Sequence, residues 1–422
     1  MSTGWSKRSF VLAPRRIPHQ FAGQMFRAGL LAVAILLSAG AVRGDWDVVL
    51  HEGRRHVTLQ SLANFYGLQV KASQGGGFVL TSVNKTIRGA AGAREIFINN
   101  VKLILCFPLV TRGNTTLISA MDVTKIIEPV MRPGKIKDAG ALRTVVLDAG
   151  HGGHDSGATS VYGKEKDFTL DVALRARKLL QENGYTVRMS RTTDVFVPLE
   201  NRAAMANRYP AALFVSIHFN KSRSDGASGI ETYALAPRGV PSMDEENVSY
   251  TDLRQNPGNV RDSENIALAT LIHSAMLRNL RLYDRGIKRA RFVVIRDVTI
   301  PGVLIEGGFV NSPVDGRAIA SPEYRQRMAS SILEAVQNYK RLVAGQAVHQ
   351  KPSLVVTPID SVSGSPTPTP VPVAIPTPPP ELSNAVPAPA ESPTPPDAHV
   401  HLTPAPTPPA AAAPSVSAAS QP

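Results

Sequence analysis

The stretch RTVVLDAGHGGHDSGA at 143–158 restricts the fold of this 422-residue chain more than any other. Residues 144–147 are a short apolar, β-branched run, the pattern of a strand buried on both faces. Asp148, Ala149 and Gly150 break the run and deliver His151 at the strand's carboxyl end. Four glycines between 150 and 157 let the backbone turn tightly and approach whatever His151 binds. In open α/β sheets ligands sit in the crevice at the carboxyl ends of strands. A histidine placed there points to a metal or catalytic site.

The same placement recurs. The apolar run LFVSI at 213–217 is followed directly by His218, and PGVLI, ending at Ile305, is followed by Glu306. Between His151 and His218, GKEK at 163–166 opens a helical stretch that runs to about Glu182 and adds Glu165 at a helix start. Further strands are predicted at 185–189, 229–235, 292–295 and 303–305, and helices at 198–209, 263–279 and 322–343. This alternation implies an α/β fold, a mainly parallel twisted sheet with helices on both faces.

A catalytic zinc takes three protein ligands and leaves its fourth position to water. His151, Glu165 and His218 supply two imidazoles and one carboxylate, a set that suits Zn2+. Glu306 is then placed to take the proton of the attacking water and pass it to the departing amine. The competing readings are a helix-start carboxylate favoured by the dipole for Glu165, and a buried salt-bridge partner for Glu306.

As a set, HGGxDxGA with His151, GKEK with Glu165, SIHFN with His218 and EGGFVNSP with Glu306 resemble the zinc-dependent N-acetylmuramoyl-L-alanine amidases. The motifs follow that family's order and approximate spacing over 143–341, and DRGIKRARFVVIR at 284–296 is similar to its DRG segment. The resemblance implies a cell-wall hydrolase that cuts the amide between N-acetylmuramic acid and L-alanine of peptidoglycan. It places His151, Glu165 and His218 on the metal and makes Glu306 the catalytic base. A zinc carboxypeptidase or endopeptidase acting within the stem peptide would use the same metal chemistry and stays open at this point. A non-catalytic wall-binding protein also stays open, although the retained ligands and Glu306 argue against it.

Asn220, Arg285 and Lys288 are candidate substrate contacts; Arg285, Lys288 and Arg291 can meet muramic or peptide carboxylates. His154 reads as a solvent-facing loop residue, Asp155 and Ser156 as hydrogen-bonders of the turn backbone, and His273 as helix packing. Residues 237–262, rich in Pro, Gly and Asn, exceed the roughly 12–15 residues usual for a structureless connection. They are expected to form a mobile rim of the substrate groove.

Lys and Arg outnumber Asp and Glu by 46 to 33, a net charge of +13. Such an excess suits nucleic acid or anionic envelope polymers. Without a helix-turn-helix, RNA-binding or zinc-finger signature, no nucleic-acid partner is expected. Residues 1–44 read as a signal peptide, because Lys7, Arg8, Arg15, Arg16 and Arg27 precede an apolar run at 28–42 that contains the cleavage signal Ala39-Gly40-Ala41. The run is shorter than the ~20 residues that span a bilayer. Cleavage, no stable membrane span afterwards, and export to the periplasm or cell envelope are therefore expected. Cys106 is the single cysteine, which excludes an intrachain disulfide and reads as a buried core thiol.

Residues 45–133 carry strand signals, a helix at 58–66 capped by Thr58, and a short helix at 121–127. They are expected to form a small α+β accessory domain, similar to copper amine oxidase N-terminal-like domains. HEGRRH at 51–56 superficially matches a zinc-protease motif, which needs histidines four apart on one helix face; five apart around Gly53, they read as a polar turn. Residues 134–142 are a linker to the catalytic domain at 143–341. From 346 to 422 proline crowds among Ala, Ser and Thr, a composition that cannot bury enough apolar surface to fold. A disordered spacer, or a docking tail for an envelope partner, is expected there.

Overall fold

The computed structural model describes residues 46–72, 76–136, 142–223, 226–243 and 248–346. The expected signal peptide and the proline-rich tail from 347 onward lie outside these residues. Strands β1 (Val48–His51) and β2 (Arg54–Thr58) pair antiparallel around Glu52 and Gly53, at φ 47° and 73°. HEGRRH is therefore a hairpin turn and not a metal-binding helix. Helix α1 (Leu59–Tyr66) begins at Thr58, whose hydroxyl accepts from Ser61 N at 3.1 Å, and ends at left-handed Gly67. An antiparallel meander comes next: β3 (Gln69–Ala72), β4 (Gly77–Thr81), β5 (Thr86–Ala90), β6 (Glu95–Ile98) and β7 (Val101–Ile104). Strands β8 (Val110–Arg112) and β9 (Thr115–Ser119) join β1 and β2 in a second, four-stranded sheet. Cys106 is buried, as its apolar surroundings predict.

The rest of the chain runs β10 (Thr144–Ala149), the hairpin β11 (Thr159–Ser160) and β12 (Gly163–Lys164), α2 (Glu165–Glu182), β13 (Thr186–Met189), α3 (Leu199–Ala206) and β14 (Ala212–Asn220). It continues through β15 (Ile230–Leu235), α4 (Asp262–Leu280), β16 (Asp284–Ala290), α5 (Val293–Arg296), β17 (Gly302–Phe309), α6 (Asp315–Ala320) and α7 (Pro322–Val343). Strands β13, β10, β14 and β17 lie side by side and parallel. The next strand, β15, is antiparallel to β17 but parallel to β16. Beyond β16 the sheet passes into β7 through the pair Ile287 and Leu103, giving one 11-stranded sheet. Thus the strands of the expected accessory unit extend the sheet of the expected catalytic one. A salt bridge from Lys125 to Asp262 at 2.8 Å, and a hydrogen bond from Lys102 N to Asp284 Oδ2 at 3.1 Å, tie the same two parts.

Alternation along β14 explains the layers. Leu213, Val215 and Ile217 share one core with Val172 and Ala176 of α2 and Ile332 of α7. Phe214 points the other way, into a second core with Ala203 of α3 and Val294 of α5. Each of the buried Val, Leu, Ile and Phe side chains contributes roughly 1.5–3 kcal/mol, the alanines less. Among the described residues no helix is long and apolar enough to cross a membrane.

Two expectations fail here. The segment at 292–295 is not a strand: α5 occupies Val293–Arg296, and the strand is Asp284–Ala290. A short apolar run cannot be assigned by periodicity alone, and the true strand is disguised by charges, including a buried Arg289. The described residues of the segment at 237–262 are not a groove rim. Because Glu231 pairs with Glu306 and Tyr233 with Leu304, β15 runs away from the carboxyl end of β17. The chain beyond Leu235 therefore lies at the opposite end of the sheet. There it forms turns at Tyr250–Leu253 and Pro257–Arg261, and buried Asp252 pairs with Arg291 at 2.6 Å.

Candidate active site

Strands β10, β14 and β17 bring their carboxyl ends together, and α2 begins beside them. His151, Glu165 and His218 converge there, with ligand atoms all within 4.8 Å of one another. Glu165 Oε1 lies 3.1 Å from His151 Nε2 and 3.0 Å from His218 Nδ1. It also accepts from Phe219 N at 3.1 Å, while Oε2 accepts from Ala158 N at 2.8 Å. The Glu165 side chain is 5% exposed but the imidazoles keep 24% and 17%, so the cluster opens on one side. Burial alone would raise the Glu165 carboxyl; hydrogen bonds and charge from the two histidines hold it far below the usual range. Burial would lower His151, and Glu165 with Asp155 outweigh that and raise it.

Two imidazole nitrogens and a carboxylate oxygen aimed at one point form a donor set that a zinc ion satisfies. The neighbouring glycines fit such a cradle. A Cβ on Gly157, at φ 61°, would stand 2.6 Å from both Glu165 Oε2 and His151 Cδ2, and one on Gly150 would strike the His218 ring. Gly157→Ala is therefore expected to displace Glu165 and to lower the affinity of the cluster for an added divalent metal ion roughly 10–100-fold, measured by competition with a chelator.

His151 itself adopts φ 59°, which costs a non-glycine residue roughly 1–2 kcal/mol. It is held there by two buried arginines. Arg202 of α3 donates to Ala149 O at 2.7 Å and His151 O at 2.8 Å, and pairs with buried Asp148 at 2.8 Å. Arg191, beyond β13, donates to Ala149 O at 3.0 Å, Gly150 O at 2.8 Å and, in α2, Lys166 O at 2.7 Å. Asp155 does more than close the turn. One oxygen accepts from Gly157 N at 3.0 Å, and the other lies 2.9 Å from His151 Nδ1, fixing the ring with Nε2 toward Glu165. Neither arginine is marked in the sequence, where both look like ordinary surface cations.

Glu306 is the in-register neighbour of His218 across β14 and β17. Its Oε2 is enclosed and finds no hydrogen-bond partner among the described residues. Burial first, then the charges of Glu165 and Glu231, push its carboxyl well above the ordinary range, with Lys288 opposing. Glu231 escapes the reading of the sequence, although a carboxylate inside the apolar run IETYAL is a usable signal. It is 2% exposed; Oε1 accepts from Arg285 Nε at 2.6 Å and Lys288 Nζ at 2.7 Å, and Oε2 from Tyr233 Oη at 2.6 Å and Asn220 Nδ2 at 3.3 Å. Burial would raise Glu231, and Lys288, Tyr233 and Arg285 together hold it low.

Asn220, Arg285 and Lys288 are thus brought together beside Glu306, each bonded to Glu231. Arg291 is not among them, being held by Asp252 at the far end. His273 is packing, as expected: it is fully buried, 2.9 Å from both Thr232 Oγ1 and Asp284 Oδ1. His154 is exposed, its ring 4.2 Å from that of Phe196.

The profile of the family described as N-acetylmuramoyl-L-alanine amidase matches residues 145–338. The amidase AmiA of Escherichia coli K12 is 31% identical over 239 residues, 51% of this chain and 83% of that protein. The sporulation-specific N-acetylmuramoyl-L-alanine amidase of Bacillus subtilis is 31% identical over 202 residues, 47% of this chain and 69% of that one. The solved structure of amidase AmiC2 of Nostoc punctiforme is 31% identical, covering 47% of this chain and 96% of its own, with a TM-score of 0.39.

Proposed function

The chain belongs to the N-acetylmuramoyl-L-alanine amidase family, and we propose that His151, Glu165 and His218 hold its zinc while Glu306 acts as the general base. It is a peptidoglycan hydrolase that cleaves the amide between N-acetylmuramic acid and the L-alanine of the stem peptide. A bound zinc supplies a Lewis acid, polarising the scissile carbonyl and lowering the pKa of water toward ~7. Glu306 takes one proton from the attacking water and returns it to the L-alanine nitrogen as the C–N bond breaks; the second water proton stays with the products, which leave as a carboxylate and an ammonium. A carboxyl raised by burial and by two neighbouring carboxylates suits a group that must both accept and release a proton near neutrality. Lys288 and Arg285, steadied by Glu231, border this group together with Asn220 and are placed to touch substrate.

The single observation carrying this reading is the convergence of three ligand atoms beside the enclosed Glu306 Oε2, which has no hydrogen-bond partner among the described residues. We assign residues 143–341 to the catalytic domain and 45–133 to an accessory module, with export to the cell envelope through residues 1–44. The purified protein is expected to hold about one zinc per chain. His151→Ala and His218→Ala are each expected to abolish both zinc binding and muropeptide cleavage. Full zinc occupancy in both variants, read by elemental analysis, would overturn the ligand assignment.

A further inference from the structure

A groove of about 760 Å³, lined by none of the four site residues, takes no part in the chemistry described so far. Its walls are the segments that run on from the site's own residues. The β11–β12 hairpin, with Thr159, Ser160 and Tyr162, lies between the His151 turn and Glu165; Lys221 to Arg223 come after His218; Asn311 comes after Glu306. The hairpin wall is continuous with a proposed ligand, because Ala158 O accepts from Glu165 N at 2.8 Å and Ala158 N donates to Glu165 Oε2. The floor is pinned: Ser222 N donates to Asn311 Oδ1 at 3.1 Å, and Asn311 Nδ2 donates back to Ser222 O at 3.0 Å.

Among the described residues the charge lining the groove is all positive. Lys221 and Arg223 line it and both are exposed, while among the described residues no acidic side chain lines it. Among the same residues neither cation has a side-chain hydrogen bond or ion pair. The other basic residues expected near substrate are already engaged, Arg285 and Lys288 on Glu231. Of the two sides of the scissile amide, only the peptide offers anions. The lactyl carboxyl of the sugar is consumed in the amide, whereas the residues beyond L-alanine carry free α-carboxylates. A volume of this size, with apolar walls at Val161, Tyr162 and Pro313, polar groups at Thr159, Ser160 and Asn311 and two such cations, suits a short anionic peptide.

We infer that this groove is the stem-peptide subsite, that Lys221 and Arg223 bind carboxylates beyond L-alanine, and that the glycan therefore leaves on the other side of the cleft. The inference rests on the amidase reading of the site but is tested separately from it. Binding of L-alanyl-γ-D-glutamyl-L-lysine is measured by calorimetry on the wild-type protein and on Lys221→Ala/Arg223→Ala, with the peptide's carboxylates free or amidated. The free form is expected to bind wild type about tenfold more tightly than the amidated form, and the double variant should lose that preference. On matching disaccharide-peptides, the double variant should raise KM about tenfold for the free form only, with kcat within about twofold. Equal binding of the two forms by wild type, or an unchanged preference in the variant, would overturn the subsite. A wild type that binds the tripeptide but cleaves neither muropeptide would instead count against the amidase reading.

Discussion

Glu306→Gln is expected to lower turnover of a soluble muropeptide by about 10²–10⁴-fold, while zinc content stays at the wild-type level. The substitution keeps the size and shape of the side chain, and Glu306 is not among the three converging ligand atoms. What it removes is the ability to accept a proton from water and return it to the amine. It also relieves the site of a buried carboxyl crowded by Glu165 and Glu231, so the variant should be at least as stable as wild type. Lower activity with intact zinc and an unchanged or raised melting temperature distinguishes loss of chemistry from loss of fold. Asp155 cannot take over as base, because its two oxygens are committed to the His151 ring and to Gly157 N. Near-normal turnover would move the general base elsewhere.

Arg202→Ala is expected to destabilise the protein by about 3–5 kcal/mol at neutral pH, the usual effect of removing one partner of a buried ion pair. Arg202 is 2% exposed and Asp148 fully enclosed, so no water replaces the lost charge. Burial alone would raise the Asp148 carboxyl; Arg202, with Ser216 bonded at 2.7 Å, outweighs it and holds the group low. A depressed folded-state pKa contributes stability that is complete above the unfolded value of about 3.9 and is lost as pH falls through the folded one. In the variant the sign reverses: the unpaired, buried carboxyl is raised, and protonating it relieves the penalty. The gap between wild type and variant should therefore narrow as pH is lowered toward about 4. Urea unfolding at pH 7 and near pH 4.5 checks this; a gap that stays constant or widens on acidification would show that Arg202 acts mainly through packing. Because Arg202 also holds the Ala149 and His151 carbonyls, zinc affinity should fall in whatever protein remains folded.

The parts of this site that are legible in the sequence are those written in local pattern. A β-branched run ending in a histidine, or a helix opening on a glutamate, needs only its own neighbours to be recognised. His151, Glu165, His218 and Glu306 all have that form, and the strand-end geometry then makes them meet. Asp155, two residues from Gly157 and four from His151, is equally local and reads as a bonder of the turn backbone. Arg191, Arg202 and Glu231 do their work across gaps in sequence or against backbone carbonyls, and no local pattern records such a partner. The two failed elements have a common cause. The apolar run at 292–295 reads as a strand and the charged run Asp284–Ala290 carries no strand signal, yet what decides both is the layer each one packs into. Likewise the direction of β15 is set by its pairing with β17, which no periodicity in IETYAL reveals.

The direction of β15 also bears on how the enzyme can be handled and modified. The described residues between Ala236 and the start of α4 are turned away from the cleft by the full length of a strand. Met243 N, for instance, is hydrogen-bonded to Arg289 O at 3.0 Å, beyond the part of β16 that carries Arg285 and Lys288. A dye or an affinity handle attached at Met243 would be carried on the back of the molecule. Tethered to a surface by that point, the enzyme would present its cleft outward, toward a polymer too large to reach a buried site from any other side.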